Sequence, residues 1–248
     1  MSKHFELMQQ IEQDEPHFPE LRSAQIVPLP GRKGMSNGHT RWAHEEALRL
    51  VQQVFLLQPQ APPRVVVFAS IDHGNGCSQV CTSVAEILSK SSRRPVCLVE
   101  GNFRSPALPK LFGTTNHFGL TDALRQDGPI GLFAKLVNED NLWLLSSGSL
   151  VADSPSLLTV DRLNDRVAEL RQEFEFVIID APPLTLYSDA LALGRLSDGL
   201  VMVLQADSTR REAASVAAAT LRSANIPILA AVLNKRTFPI PEAIYKRL

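Results

Sequence analysis

The sequence lacks the features that mark several large classes of protein. Lys and Arg number 25 against 26 Asp and Glu, so the net charge is −1 and no basic block indicates nucleic-acid binding. No apolar run reaches the roughly 18 residues that a membrane-spanning helix requires. The polar start, residues 1–13, does not resemble a signal peptide. We therefore expect a cytoplasmic protein that has no nucleic-acid partner.

Cysteine and tyrosine are also scarce. The 3 cysteines, Cys77, Cys81 and Cys97, are odd in number and lack a metal-binding spacing, and a cytoplasmic chain does not favour disulfides. A thiolate at Cys77 or Cys81 would be favoured at the start of a helix. We nevertheless expect both to be small residues packed beneath a loop. The 2 tyrosines are Tyr187 and Tyr245.

The 248 residues divide into an irregular start and a longer patterned part. Residues 1–40 are polar, are broken by prolines and glycines, and show little apolar periodicity, so we predict a flexible tail or linker there. A helical pattern over residues 40–57 opens the second part. Residues 41–248 are predicted to form a single domain.

From residue 64 onward, short apolar runs alternate with segments of helical periodicity. Apolar runs rich in β-branched residues are typical of strands that are covered on both faces. The alternation predicts an α/β fold, namely a doubly wound and mostly parallel sheet with helices on both faces. We expect strands over residues 65–70, 95–100, 142–146, 176–180, 199–205 and 226–234, and helices over 76–92, 120–125, 155–173 and 209–224.

The first predicted strand leads into a glycine-rich turn, Gly74 to Ser78, and then into a helix. In a phosphate-binding loop the backbone N–H groups wrap a phosphate, a lysine reaches the terminal phosphates and a serine hydroxyl holds Mg²⁺. Here Cys77 occupies the lysine position, whereas Ser78 is kept. We expect ATP and Mg²⁺ as the ligands, because a helix N-terminus binds anions without a side-chain charge. The alternative is a tight turn with no ligand.

Polar side chains also end three other predicted strands, at the edge where such sheets bind ligands. Asp180 follows four apolar residues, as a Walker B carboxylate does, and Glu100 is placed to reach Mg²⁺ through water. Asn102 is a poor general base because an amide does not accept a proton as a carboxylate does. Asn234 can hydrogen-bond an adenine edge. For each of them the alternative is a solvated or capped strand end.

These patterns give a candidate site with three kinds of member. The predicted catalytic positions are Asp180, Glu100 and the degenerate Asn102, and the predicted metal ligands are Ser78, Asp180 and Glu100. The predicted nucleotide-binding residues are Gly74, Asn75, Gly76, Cys77, Ser78, Gln79 and Asn234.

Several stretches resemble the bacterial tyrosine kinases of capsule and exopolysaccharide synthesis, which are P-loop NTPases related to partition ATPases. Residues 102–106 are similar to the family's D-L-R-R-P, and residues 119–124 to its G-L-x-D-x-L. Residues 180–183 and 232–234 follow in the family's order, and residues 46–52 resemble its E-x-x-R-x-x-R helix. The resemblance covers about residues 44–236 and implies a P-loop kinase-like domain.

The departures from the family pattern concern its charged groups. The resemblance implies a loop lysine and two acids, where this chain has Cys77, Glu100 and Asn102. We therefore predict a catalytically impaired member that acts as a regulatory or scaffold subunit in exopolysaccharide or capsule biosynthesis and export. Two alternatives stay open. One is an active ATP-dependent tyrosine autokinase in which Lys90 or Lys110 supplies the missing charge, and the other is a nucleotide-switched positioning ATPase.

The resemblance also implies partners. The family's motif implies oligomerisation through Glu46 and Arg49, although Gln52 replaces the second arginine. The implied partners are a membrane-embedded polysaccharide co-polymerase or chain-length regulator, and an active tyrosine kinase or a second copy of this chain. The protein would then lie peripherally at the inner membrane through a partner. The family's C-terminal tyrosine cluster is missing, which leaves Tyr245 as the candidate phosphorylation site.

Overall fold

The computed structural model describes residues 26–29, 37–57, 62–149 and 161–236. The strands within these ranges are β1 (Ile26–Leu29), β2 (Val65–Ser70), β3 (Val96–Glu100), β4 (Lys135–Leu136), β5 (Leu142–Leu145), β6 (Phe176–Ala181), β7 (Gly199–Gln205) and β8 (Ile228–Asn234). They form an 8-stranded sheet in the order β1-β8-β7-β2-β6-β3-β5-β4. All neighbouring strands are parallel except β4 and β5, which confirms the predicted doubly wound sheet.

Helices cover both faces of the sheet, and each face has its own apolar core. One face carries α1 (Asn37–Val51), the π-helical turn Gln52–Leu56, α2 (Cys77–Ser92) and α3 (Leu108–Leu111). The other carries α4 (Leu120–Ala123), the 3-10 turn Ile130–Phe133, α5 (Asp161–Glu173), α6 (Asp189–Arg195) and α7 (Arg211–Ser223). No helix within the described ranges is long and apolar enough to cross a bilayer.

The strand order brings the polar strand ends together. β6 lies between β2 and β3, and its Asp180 is in register with Phe68 on one side and Glu100 on the other. The residues of β2, β3 and β6 are all buried, which explains their continuous apolar runs. The loop that follows β2 therefore lies beside both carboxylates at one edge of the sheet.

β1 is a correction to the predicted flexible tail over residues 1–40. Its main chain pairs with β8 at the edge of the sheet, where a proline such as Pro28 is tolerated. Its 4 residues are too few to show a periodicity, so pairing with β8 is what distinguishes this segment from a linker. Residues 1–25 and 30–36 lie outside the described ranges, and the tail stays a prediction for them.

The helix boundaries agree less well with expectation than the strands. α1 begins at Asn37, three residues before the predicted start, and the predicted start of α5 near residue 155 lies outside the described ranges. α7 begins at Arg211, two residues after the predicted start at residue 209, and the Thr209 hydroxyl accepts a 2.8 Å bond from the Gln205 N–H. The short elements α3, α6 and β4 were not predicted, since such segments are too short to carry a period.

Candidate functional site

The phosphate loop connects β2 to α2 and depends on two glycines in the left-handed region. Gly74 has φ +78° and Gly76, which precedes the first turn of α2, has φ +85°. A Cβ at Gly76 would lie 2.5 Å from Asn234 Nδ2, whereas one at Gly74 would meet open space. Glycine is therefore required at Gly76 for packing as well as for backbone conformation.

Two side chains from the end of β8 hold this loop. Asn234 donates a 2.8 Å hydrogen bond from Nδ2 to the Asn75 carbonyl, and both residues are buried. This bond uses the amide that we expected to face an adenine edge. Lys235 extends over the loop and donates from Nζ to the Gly74 carbonyl. The loop is thus anchored from the strand at its side.

Lys235 is a candidate site residue that the sequence prediction missed. It lines the cleft, which is where the loop lysine of a P-loop would place its charge. Lys90, by contrast, lies in the last turn of α2, about 20 Å along the helix from Cys77 at roughly 1.5 Å per residue. Lys110 does not line the cleft, although its neighbour Leu111 does. The signal that could have found Lys235 is its position directly after a strand that ends at the loop.

The two predicted acids lie buried and adjacent. The carboxylate of Glu100 accepts bonds on Oε2 from the N–H groups of Ala107 and Leu108, at 2.7 and 2.8 Å, and therefore also caps α3. Its Oε1 has no hydrogen-bond partner, and neither does Asp180 Oδ2, among the residues that the structure describes. Orphaned buried oxygens of this kind are costly unless they bind a ligand.

Burial raises the pKa of both acids. For Glu100 the nearby Asp180 charge adds to burial, whereas for Asp180 hydrogen bonds from the Ser78, Cys77 and Cys81 side chains act in the opposite direction. A divalent cation would remove this penalty by compensating both charges. The hydroxyl of Ser78 and the two free carboxylate oxygens are hard oxygen ligands, so the residues present fit Mg²⁺.

The cysteine at the lysine position carries no charge to the cleft. Cys77 and Cys81 are buried, as expected of packing residues, but both also face Asp180. A hydrogen bond with Cys81 lowers the pKa of Cys77, yet burial and Asp180 outweigh it and raise that pKa to about 12. Burial also raises the pKa of Cys81 well above its usual value. Both groups are therefore neutral thiols near pH 7.

Asn102 and Arg104, which follow β3, have different positions. Asn102 lines the cleft, and its Oδ1 accepts a 3.2 Å bond from the Ser105 N–H. Arg104 points to α6, where it forms a two-pronged ion pair with Asp189 at 2.9 and 3.2 Å and lies 4.0 Å from the centre of the Tyr187 ring. Arg104 thus binds a carboxylate of its own chain.

Together these elements form an open cleft of about 350 Å³ at the edge of the sheet. Of the predicted site, the loop from Gly74 to Gln79, Asn102 and Asp180 line it. Glu100 and Asn234 lie beneath it, at the strand ends. The cleft combines an N-terminal helix turn, a lysine and buried acids, which is a composition suited to a phosphorylated ligand with its metal ion.

The other predicted residues lie away from the cleft or outside the described ranges. Glu46 is buried on α1 and forms a 3.3 Å pair with Arg49, whose side chain is 63% exposed. Tyr245 lies outside the described ranges.

Comparison with curated proteins finds tyrosine kinases, although no family model matches the chain. Tyrosine-protein kinase YwqD of Bacillus subtilis is 27% identical over 169 residues, which are 68% of this chain and 71% of that protein. Tyrosine-protein kinase CpsD of Streptococcus agalactiae is 26% identical over 173 residues, 69% of this chain and 75% of CpsD. Tyrosine-protein kinase wzc of Salmonella typhimurium is 28% identical over 159 residues, and this match spans 22% of that longer protein.

Solved structures share the fold. The chimerical protein CapA2B2 superposes with a TM-score of 0.79 at 18% identity, covering 89% of this chain and 97% of that one. The kinase domain of Escherichia coli ETK gives 0.78 at 16% identity, covering 91% and 98%. The septum site-determining protein MinD with Mg-ADP from Pyrococcus horikoshii gives 0.58 at 20% identity, covering 74% and 76%. The sheet order, the loop geometry and these relatives all support the similarity of the chain to the bacterial tyrosine kinases and to the P-loop NTPase fold.

Proposed function

We propose that this chain is a nucleotide-binding but catalytically impaired tyrosine-kinase-like subunit, which regulates or scaffolds the biosynthesis and export of an exopolysaccharide or capsule. One observation carries the proposal. The cleft keeps its loop backbone and its buried acids, but it presents a neutral thiol at Cys77 and an amide at Asn102. The groups that would bind a nucleotide are therefore present, whereas the groups that would promote phosphoryl transfer are replaced.

Binding of a nucleotide is supported by the backbone of the loop. The first N–H groups of α2 have no partner within the helix, and their residues Cys77, Ser78 and Gln79 line the cleft, where such groups attract a phosphate. Lys235 adds a positive charge beside Gly74. Ser78, Asp180 and Glu100 would hold the Mg²⁺, which supplies charge neutralisation to the phosphates when it is bound.

Impaired phosphoryl transfer is supported by the side chains that would face the bound phosphates. A group that stabilises developing charge and a positioned base are each commonly worth about 10²–10⁴ in rate. Cys77 supplies no charge, and the amide of Asn102 does not accept the proton of a tyrosine hydroxyl. Loss of both effects is expected to lower phosphoryl transfer by several orders of magnitude.

The pathway and partners are proposed from the relatives, which are named tyrosine-protein kinases, and from the resemblance to capsule and exopolysaccharide kinases. A membrane-embedded polysaccharide co-polymerase or chain-length regulator would hold the chain at the inner membrane. An active kinase, or a second copy, would contact α1 at the exposed Arg49, which pairs with the buried Glu46 at 3.3 Å. Tyr245 would be a substrate of that kinase.

Nucleotide binding and phosphate transfer, measured on the same preparation, test the proposal. We expect saturable binding of ATP with Mg²⁺ by calorimetry, and a ligand at 100-fold above its Kd should raise the free energy of unfolding by about 2.7 kcal/mol. We expect no radiolabel from ATP on tyrosine, with or without a co-purified kinase activator. Tyrosine labelling that is lost in Asp180→Ala would overturn the proposal, as would the absence of any binding at millimolar ATP.

A nucleotide-switched positioning ATPase is the second candidate, because the fold is shared with MinD bound to Mg-ADP and Lys235 offers a charge to the loop. This candidate requires dimerisation that depends on ATP. Sedimentation of the chain with ATP, ADP and no nucleotide separates the two proposals. A monomer–dimer shift with ATP alone favours the switch, whereas an unchanged mass favours the scaffold.

A further inference from the structure

We propose that Cys77, Cys81 and Asp180 form a binding site for a thiophilic divalent cation of the zinc class, at the position where a P-loop carries its lysine. Its three ligands are side chains and none is a backbone group of the loop, so binding of the cation does not require the proposed nucleotide binding. The three side chains come from two elements, the start of α2 and the end of β6.

The distances suit a tetrahedral metal. One ligand atom from each of the three residues lies within 4.8 Å of the other two, and Cys81 Sγ lies 3.7 Å from Asp180 Oδ1. A tetrahedral zinc with bonds of about 2.3 Å to sulfur and about 2.1 Å to oxygen requires a sulfur–oxygen separation of about 3.6 Å. The arrangement therefore needs little rearrangement to hold the ion.

The chemistry of the donors points to a soft cation. Two sulfurs on one face of α2, one turn apart, favour zinc over Mg²⁺ or Ca²⁺, which prefer oxygen. The Cys81 thiol donates to Asp180, so its proton lies between the atoms that a metal would join. Binding would release the two thiol protons to solvent and form two sulfur–metal bonds and one oxygen–metal bond, with no change of oxidation state.

A second observation supports a ligand at this place. Asp180 is 1% exposed, and its Oδ2 has no hydrogen-bond partner among the described residues, which is a state that a bound cation relieves. Cys77 and Asp180 also line the cleft, so the fourth position of a tetrahedral ion would open towards it. Three protein ligands and one open position are the pattern of reactive rather than purely structural zinc sites.

The site has a consequence that does rest on the proposed function. Asp180 is the predicted ligand of the Mg²⁺ that accompanies the nucleotide, and one carboxylate would serve both ions. A cation at the two sulfurs would therefore compete with the nucleotide–Mg²⁺ complex. Occupancy by zinc would then switch the subunit between a metal-bound and a nucleotide-bound form.

Cys97 provides a matched control within the same chain. It is also buried, but it lies on β3 in the core of the opposite face, away from Asp180. Its pKa is raised by burial, as for the other two thiols. A metal that reached cysteines nonspecifically would not distinguish Cys97 from Cys77 and Cys81.

Titration of the full chain with Co²⁺ and Zn²⁺ tests the site, on protein freed of metal and kept reduced with a phosphine. We expect one equivalent of Co²⁺ to produce sulfur-to-cobalt charge-transfer absorption, which Zn²⁺ then abolishes. Cys77→Ser and Cys81→Ser should each weaken Zn²⁺ binding by at least about 100-fold, the upper limit for loss of a group that only orients a ligand. Cys97→Ser should bind as the parent protein does.

X-ray absorption of the zinc-loaded parent protein keeps the proposal falsifiable if a variant does not fold. We expect two sulfur neighbours at about 2.3 Å. No charge-transfer band at one equivalent, fewer than two sulfur neighbours, or equal losses in Cys97→Ser and Cys77→Ser would each overturn the site. Loss of nucleotide binding in the parent protein would leave these measurements unchanged and so would count against the proposed function alone.

Discussion

The phosphate loop and the ends of β3 and β6 face the same cleft, but they depend on different parts of the chain. The loop acts through backbone groups, which Gly74 and Gly76 orient and Asn234 holds in place. The strand ends act through side chains, namely Glu100 and Asp180. A single substitution such as that at Cys77 removes a side-chain charge without changing the backbone. After such a substitution, a site of this kind can still bind an anion although it no longer catalyses phosphoryl transfer.

Restoring the side-chain charges is expected to have the largest effect. Cys77→Lys alone should raise affinity for ATP by about 10-fold or more, because a hydrogen bond to a charged group is worth roughly 1.5–3 kcal/mol, but Asn102 should still prevent transfer. Adding Asn102→Asp should increase tyrosine labelling by several orders of magnitude. Cys77→Met is the uncharged control. Full activity in Cys77→Lys alone would show that Asn102 is not limiting.

Substituting the glycines of the loop is expected to have the second largest effect, which is on the free energy of unfolding. Gly76→Ala should lower the free energy of unfolding by about 2–5 kcal/mol, since a left-handed alanine costs roughly 1–2 kcal/mol and the contact with Asn234 adds about 1–3 kcal/mol. The matched control is Gly74→Ala, which has the same strain and open space, and should lose only about 1–2 kcal/mol. Urea denaturation gives both values. Equal losses would show that the Asn234 contact is not limiting.

A change of pH acts on the acids rather than on the loop. Their pKa values in the folded protein, about 8 for Glu100 and about 6 for Asp180, lie above the usual 4.5 and 3.8, so the folded state binds protons more tightly than the unfolded state. The free energy of unfolding without metal should therefore fall by a few kcal/mol as pH rises from about 4 to about 8.

The matched variant for this titration is Glu100→Gln with Asp180→Asn, which should flatten the decrease. The pKa of Asp198 is lowered by its bond with Arg171 despite partial burial. Its contribution to the free energy of unfolding therefore rises with pH, and it does so below about pH 4, outside the range of this titration. Mg²⁺ favours the ionised acids and should also reduce the decrease. Stability that rises with pH between 4 and 8 would contradict the assignment.

Removing the lysine of the loop should have the smallest effect. Lys235→Ala is expected to weaken ATP binding by about 5- to 10-fold, because it removes one partly exposed charge worth about 1 kcal/mol, while Lys235→Arg should keep most of the affinity. Lys110→Ala is the control, because Lys110 does not line the cleft. Calorimetry at low salt measures the difference. Unchanged affinity in Lys235→Ala would show that the backbone alone binds the phosphates.

The sheet and most of the candidate site could be predicted because they follow from local sequence patterns, namely apolar runs that end in polar residues. Strands β2 and β7 have long apolar runs that end in polar residues, and their predicted limits match the structure. The loop and Asp180 follow such runs directly. β1 and α6 were missed because 4 and 7 residues are too few for a period to emerge.

What the sequence by itself determined is the order of strands and helices and the chemical types at the strand ends, since hydrophobic period and turn residues are local properties. Only the tertiary structure decided that Lys235 reaches the loop and that Cys77, Cys81 and Asp180 meet. The contact of Cys81 with Asp180 joins residues 99 positions apart, and that of Lys235 with Gly74 joins residues 161 positions apart. Their distances follow from the strand order, which places β6 and β8 beside the loop. The physical reason is that side-chain geometry across a sheet is set by register and packing, which no local pattern encodes.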